Sequence, residues 1–123
     1  MCMVEIDDMV GKTFNTIEIS TSLEEMTFIS SDGLKYRMYH QQECCEDVQL
    51  GEVIGDIMDL IDTPIIEARE DKQEGSLDYG TYTWTFYNFR TIKGSVTLRW
   101  VGESNGYYGE EVSIERSTVH EGK

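Results

Sequence analysis

The chain has 123 residues, of which 39% are hydrophobic and 11% aromatic, and this composition fits one folded domain with a single modest core. Its 24 acidic and 10 basic side chains give a formal net charge of −14. Nucleic-acid backbones are held by basic surfaces, so this charge argues against direct binding to them. It is consistent with simple solubility, and it would also draw the protein towards basic protein surfaces.

The first residues, MCMVEIDDMVGK, contain neither the basic nor the apolar segment of a signal peptide. No apolar run in the sequence is long enough to cross a bilayer. Of the three cysteines, Cys44 and Cys45 are adjacent, which makes a poor disulfide framework and favours reduced thiols. We therefore expect a cytoplasmic protein that makes no contact with a membrane.

In chain order, residues 3–11 predict a short helix, because Asp7 and Asp8 suit the first turn of a helix. Strand-like alternation follows in three segments, which predict an antiparallel meander: TFNTIEIS, EMTFIS and LKYRMYH.

The period changes in the segment LGEVIGDIMDLIDTP, where five apolar residues recur at helical spacing: Val53, Ile54, Ile57, Leu60 and Ile61. Pro64, the single proline, would end such a helix because it removes a donor and restricts the residue before it. This segment therefore predicts the main helix of the protein.

After this helix, PIIEARE predicts a strand, and the charged, glycine-containing DKQEGSLDYG predicts a mobile loop. Three further strands are predicted in TYTWTFYNFRT, SVTLRWVG and YYGEEVSIER, with a hairpin turn at Asn105-Gly106. Residues 117–123 predict a frayed tail.

The predicted fold class is α+β: a single antiparallel sheet of about six strands, with one main helix packed on one face. Residues 1–123 form a single domain in this prediction. Exposed edge strands in a sheet of this size would allow a homodimer.

The residues most suggestive of chemistry lie in YHQQECCEDV, where His40, Cys44 and Cys45 stand near three acids. A zinc site usually takes four ligands from spaced pairs, and adjacent cysteines rarely reach one ion. An acidic neighbourhood raises a thiol pKa, which opposes a cysteine nucleophile. We interpret the segment as a structural corner between sheet and helix, with no catalytic residue, no metal and no cofactor.

Aromatic residues interleaved with arginines mark the last third of the chain. Rings and guanidinium groups can stack a base and pair a phosphate, so they predict a nucleotide pocket. Strand alternation also assigns about half of these rings to the core, and a protein-binding surface is equally consistent with the rest. The candidate ligand-binding residues are Trp84, Tyr87, Arg90, Arg99 and Tyr107.

Two segments carry a more specific signal. One contains the corner YHQQECCEDV and the stretch GDIMDLI, and the other contains RWVGESNGYYGEEV. Together they resemble a small uncharacterised domain of phages and prophages of low-GC Gram-positive bacteria, over about residues 34–114. Gly109 stands where that family has serine, and Ile61-Asp62 replaces an Ile-Gly step. The resemblance implies no enzymatic activity and an accessory role in a phage or mobile element.

By analogy, the resemblance implies a non-enzymatic phage or mobile-element protein, in the host cytoplasm, that inhibits an antiviral defence system by binding. Its acidic surface would engage a basic site on a defence protein. One alternative is an oligomeric sponge that sequesters a cyclic or ADP-ribose-type nucleotide in the aromatic and arginine pocket. The other is a weak enzyme that uses His40 and Cys44.

Overall fold

Nine β-strands and two short 3₁₀ helices form the described part of the chain. In this computed structural model, that part is residues 2–41, 46–77, 80–104 and 110–119, without the side chains of Glu46 and Leu77. The 3₁₀ helices, Ile6–Met9 and Ile57–Leu60, have four residues each. The strands are β1 (Cys2–Met3), β2 (Phe14–Ile19), β3 (Glu25–Ser30), β4 (Leu34–Tyr39), β5 (Glu46–Ile54), β6 (Glu67–Leu77), β7 (Gly80–Thr91), β8 (Gly94–Ser104) and β9 (Ser113–Thr118).

The strands divide into two antiparallel sheets that pack against each other. One has five strands in the order β1-β9-β4-β3-β2, and the other has four in the order β5-β8-β7-β6. Side chains from both sheets share one buried cluster, in which the Phe28 ring of β3 lies 6.0 Å from the Phe89 ring of β7. Because side chains alternate across a strand, each sheet keeps one side for this core and one for solvent.

The predicted meander is present, since β2 pairs with β3 and β3 pairs with β4. The alternation in LKYRMYH predicts its buried side, and Tyr36 and Met38 are fully buried.

The predicted α+β class, with a single sheet and one main helix, is wrong. The segment assigned to the helix forms the second half of β5 and then one 3₁₀ turn, Ile57–Leu60. A bulge between Leu50 and Glu52 shifts the pairing of β5 with β8 by one residue. The helical spacing of the five apolar residues has another origin: Val53 and Ile54 end β5, and Ile57 and Leu60 lie three positions apart in the 3₁₀ turn that follows.

The predicted loop DKQEGSLDYG is also wrong over most of its length. β6 runs on to Leu77 and stays in continuous register with β7, from Glu67 opposite Arg90 to Leu77 opposite Gly80. β6 is an edge strand, and from Arg69 to Glu74 its side chains are exposed on both sides. Charged residues suit such a strand because they discourage pairing with other chains, so its composition imitates that of a loop.

The two ends of the chain differ from their predictions. The helix predicted for residues 3–11 is one 3₁₀ turn, Ile6–Met9. The tail predicted to fray includes the last residues of β9, and the Val119 amide donates a hydrogen bond to the Gly33 carbonyl at 2.9 Å. Residues 120–123 and the predicted turn at Asn105-Gly106 lie outside the described residues.

Within the described part of the chain, no helix has the length and apolar character needed to cross a membrane.

Candidate functional site

The four-stranded sheet carries aromatic residues on both of its sides. Along β7, Tyr87 and Phe89 face the core and are 0% and 1% exposed. Tyr82, Trp84 and Phe86 alternate with them and stay partly exposed on the opposite side. We call this opposite side, which is turned away from the five-stranded sheet, the outer face.

Arg99 is held on the outer face by two rings and one carboxylate. The Trp84 and Phe86 rings are nearly parallel, at 17° and a centroid distance of 6.3 Å. The Arg99 guanidinium carbon lies 4.8 Å from the Trp84 centroid and 5.7 Å from that of Phe86. Its Nη1 donates a hydrogen bond to Glu52 Oε1 at 2.5 Å. Stacking and ion pairing together fix this cation in place.

The structure divides the predicted ligand-binding residues between two sides of the sheet. Trp84 and Arg99 meet on the outer face. Tyr87 lies in the core on the other side. Arg90 is at the far end of β7, in an ion pair of 3.5 Å with a carboxylate of β6, and Tyr107 lies outside the described residues. Those that are described therefore do not line one common pocket.

Tyr87 has a structural environment. Its hydroxyl donates a long hydrogen bond of 3.5 Å to the Val112 carbonyl oxygen. Burial raises the pKa of Tyr87, and the nearby carboxylate of Glu70 raises it further. The hydroxyl thus keeps its proton across the ordinary pH range.

Two of the residues that contact Arg99, Phe86 and Glu52, were not among the candidate residues chosen from the sequence. Both lie directly opposite Arg99, Phe86 on β7 and Glu52 on β5. The signal that could have found them is strand register, but the bulge in β5 hides the pairing of Glu52.

A second row of the outer face has no arginine. Asp47 of β5 lies directly opposite Glu103 of β8, which in turn lies opposite Tyr82 of β7. Both acids are exposed, and neither forms an ion pair with any described residue. Two like charges at directly opposed positions destabilise a sheet.

The solvent side of the five-stranded sheet holds a comparable arginine. Arg37 Nε donates to Glu25 Oε1 at 2.7 Å, and Arg37 Nη1 lies 3.9 Å from Glu115 Oε1. Its guanidinium carbon lies 3.9 Å from the centroid of the Tyr39 ring. An aromatic ring and two carboxylates surround this cation.

The inner side of the β6–β7 hairpin borders a cleft of about 510 Å³, with Glu110 and Glu111 on its other wall. Glu110 is only 7% exposed. Its Oε2 accepts hydrogen bonds from Thr81 at 2.5 Å and from Ser104, and its Oε1 accepts one from Thr83 at 2.8 Å. Hydroxyl groups, and no basic side chain among the described residues, stabilise this buried carboxylate.

Two opposing effects set the pKa of Glu110. Burial raises it, but the hydrogen bonds from Ser104, Thr81 and Thr83 lower it more, so the pKa lies below its ordinary value of 4.5. The group is therefore ionised at neutral pH and contributes a fixed negative charge to the cleft.

The predicted structural corner is only partly described. His40 Nδ1 lies 2.7 Å from the Glu111 carbonyl oxygen, a hydrogen bond that connects the end of β4 to the segment before β9. The segment joins β4 to β5, strands of different sheets, so the prediction that it leads from sheet to helix is wrong. Cys44 and Cys45 lie outside the described residues, so their structural role and the alternative His40–Cys44 enzyme stay predictions. Within the described part, no three His, Cys, Asp or Glu side chains are grouped to hold a metal ion.

The basic side chains of the described residues are largely neutralised by acids. Six of them form ion pairs: Lys12–Asp32, Arg37–Glu25, Lys72–Glu70, Arg90–Glu67, Arg99–Glu52 and Arg116–Asp8.

Five acids without an ion pair to any described residue lie at one end of the four-stranded sheet, which we call the acid end. Two of them are on the outer face and three line the cleft: Asp47 and Glu103, then Glu74, Glu110 and Glu111. In the described part of the chain, Lys72 is the one basic residue that lines the cleft, and it lies 4.0 Å from Glu70.

These features define an all-β protein of two packed antiparallel sheets with a strongly acidic end. The chain belongs to the family described as a domain of unknown function, DUF7448, which matches residues 7–114. No curated protein and no solved structure matches the chain. The family description leaves the phage origin implied by the sequence motifs as a prediction.

Proposed function

We propose that this protein is a non-enzymatic accessory protein of a phage or mobile element. It acts in the host cytoplasm and inhibits an antiviral defence system by occupying a basic surface of a defence protein. The observation that carries this proposal is the acid end, where five carboxylates, on the two sides of one sheet end, have no ion pair to any described residue.

The opposed pair Asp47 and Glu103 in the acid end destabilises the isolated protein and would favour binding of a basic partner. Asp47 and Glu103 repel each other across two strands. Lysine or arginine side chains from a partner would convert this repulsion into attraction. The summed field of the acids would also speed the encounter, and salt would screen it.

A nucleotide sponge is the second candidate, and the stacked pair of Trp84 and Phe86 favours it. The charges on the same face favour a basic partner instead. Arg99 already pairs with Glu52, and Asp47 and Glu103, on the other side of Trp84, would repel a phosphate.

A plaque assay tests the leading proposal. Cells that carry a defined antiviral system would express the wild-type protein or the variant Asp47→Asn/Glu103→Gln/Glu111→Gln. We expect the wild type to restore plaque formation and the triple variant to lose this effect, because it removes three charges from the acid end.

The matched control is Asp7→Asn/Glu18→Gln/Asp62→Asn, which removes the same number of charges at exposed positions elsewhere. It should act as the wild type does. Equal loss in both variants would show that only net charge matters, and full activity of the acid-end variant would contradict the proposal. Native mass spectrometry of the purified wild type separates the two candidates, since a sponge carries a nucleotide and an inhibitor carries a protein.

A further inference from the structure

The outer surfaces of the two sheets contain two arginines that are bound in the same way. Arg37 stacks on Tyr39 and pairs with Glu25 and Glu115. Arg99 stacks on Trp84 and Phe86 and pairs with Glu52. Each guanidinium has an aromatic ring on one side and carboxylate at its edge, which uses both its flat face and its donors.

The row of Asp47, Glu103 and Tyr82 offers the same groups without an arginine. Glu103 lies between Asp47 and Tyr82 in this row, and Trp84 lies one row away on the same face. No basic side chain of the described residues pairs with either acid. The position that Arg99 fills four residues earlier on β8 is taken here by a further acid, Glu103.

Two glycines keep this part of the outer face flat. A Cβ atom at Gly75 would lie 2.2 Å from Cζ of Tyr82, so the ring lies over β6 where a side chain would otherwise stand. A Cβ atom at Gly51 would lie 3.4 Å from Cζ3 of Trp84, which reaches across β8 to β5. The rings therefore lie along the sheet, where a planar group from another molecule can stack on them.

We propose that this region, formed by Asp47, Glu103, Tyr82 and Trp84, is a docking surface for an arginine-rich segment of a partner protein. The inference rests on the proposed function and specifies which part of the acid end makes contact and which basic residue it takes. Arginine fits better than lysine because its planar guanidinium stacks on rings and pairs with two carboxylate oxygens at once.

A titration of the full chain with two peptides of equal charge tests this proposal. The probes are hexa-arginine amide and hexa-lysine amide, followed by amide chemical shifts of the ¹⁵N-labelled protein. We expect shifts centred on residues 47, 82, 84 and 103. We also expect the arginine peptide to bind about tenfold more tightly than the lysine peptide, which corresponds to one stacked and bidentate contact.

Variants of the acids and of the ring locate the contact, each compared with the wild type. Asp47→Asn/Glu103→Gln should weaken binding of the arginine peptide about tenfold, whereas Asp7→Asn/Glu18→Gln should leave it nearly unchanged. Trp84→Leu should reduce the preference for arginine over lysine and retain the charge-driven part. If Trp84→Leu does not give a folded spectrum, Tyr82→Leu serves in its place.

Equal affinity for both peptides, no binding, or shifts centred on Glu74 and Glu111 would each overturn the proposed docking surface. None of these results decides the proposed function, which the plaque assay measures separately. If plaque formation depends on the acid end and arginine is not preferred, the docking surface is refuted and the inhibitor remains.

Discussion

On the solvent side of the five-stranded sheet, Arg37 lies between Glu25 and Glu115, and on the outer face of the four-stranded sheet Asp47 lies directly opposite Glu103. At the first position, the chain supplies both carboxylates that pair with its own arginine. The second position leaves two acids without a cation, so a basic side chain of a partner would gain electrostatic energy by pairing with them. A surface whose acids have no basic partner within the chain can be neutralised by a basic partner protein.

The acid end contains a further contrast, between Glu110 and Glu103. Neither carboxylate has a basic partner among the described residues. Glu110 is buried and accepts hydrogen bonds from three hydroxyl groups, whereas Glu103 is exposed beside another acid. Only the first carboxylate stabilises the fold.

The largest effect that we expect comes from removing one charge at each of these two positions. Glu110→Gln should lower the free energy of unfolding by about 2 kcal/mol, because it leaves buried hydroxyl groups with a poorer acceptor. Glu103→Gln should raise it by about 0.5 kcal/mol, because it relieves the repulsion by Asp47. Urea unfolding of both variants measures the difference, and a loss of similar size in both would erase the distinction between the two acids.

A smaller effect on stability should follow from removing Arg37, the cation that pairs with Glu25 and Glu115. Arg37→Ala should lower the free energy of unfolding by about 1 kcal/mol, because it removes a stacked cation and leaves Glu25 near Glu115. Lys35→Ala is the matched control, on the same side of β4 and outside any ion pair of the described residues. Thermal unfolding would compare them, and equal losses would show that Arg37 is not a special contact.

The smallest effect concerns pH. Because the folded-state pKa of Glu110 lies below 4.5, the unfolded chain takes up the proton first as the pH falls. The stability due to its ionised form is thus present above pH 4.5 and is lost as the pH falls through the folded-state pKa. The difference in unfolding free energy between wild type and Glu110→Gln should therefore shrink under acid conditions.

Asp32 offers a comparison for this titration. Hydrogen bonds from Lys12 and Ser30 lower the pKa of Asp32 to about 2. The deficit of Asp32→Asn should therefore begin to shrink below pH 3.8 and persist until about pH 2. A pH-independent deficit in Glu110→Gln would show that packing, and not charge, makes that residue stabilising.

Local alternation predicted most of the strands, but it could not predict the sheets. LKYRMYH and SVTLRWVG alternate cleanly and form β4 and β8. One 3₁₀ turn directly after β5 gave Ile57 and Leu60 a helical spacing, and β6 looked like a loop because an edge strand tolerates charge on both sides.

Alternation also left open which side of β7 faces the core. Tyr82, Trp84 and Phe86 are the larger side chains, yet Thr83 and Thr85 are the buried ones. Tyr87 and Phe89, further along β7, are buried on the same side as these threonines and determine which side faces the core. Within the candidate site, Trp84 and Arg99 could be identified from composition. The contacts of Glu52 and the hydroxyl groups around Glu110 could not, because they depend on pairings between distant segments.

The most direct test of the docking surface is to supply the missing arginine within the chain itself. Glu103→Arg places an arginine opposite both Asp47 and Tyr82, as Arg99 lies opposite Glu52 and Phe86 in the same sheet. Its dissociation constant for hexa-arginine amide would be measured against that of Glu18→Arg, which changes the charge equally at an exposed position of β2. We predict that Glu103→Arg weakens binding at least about tenfold more than Glu18→Arg does. Equal weakening in the two variants would contradict the account.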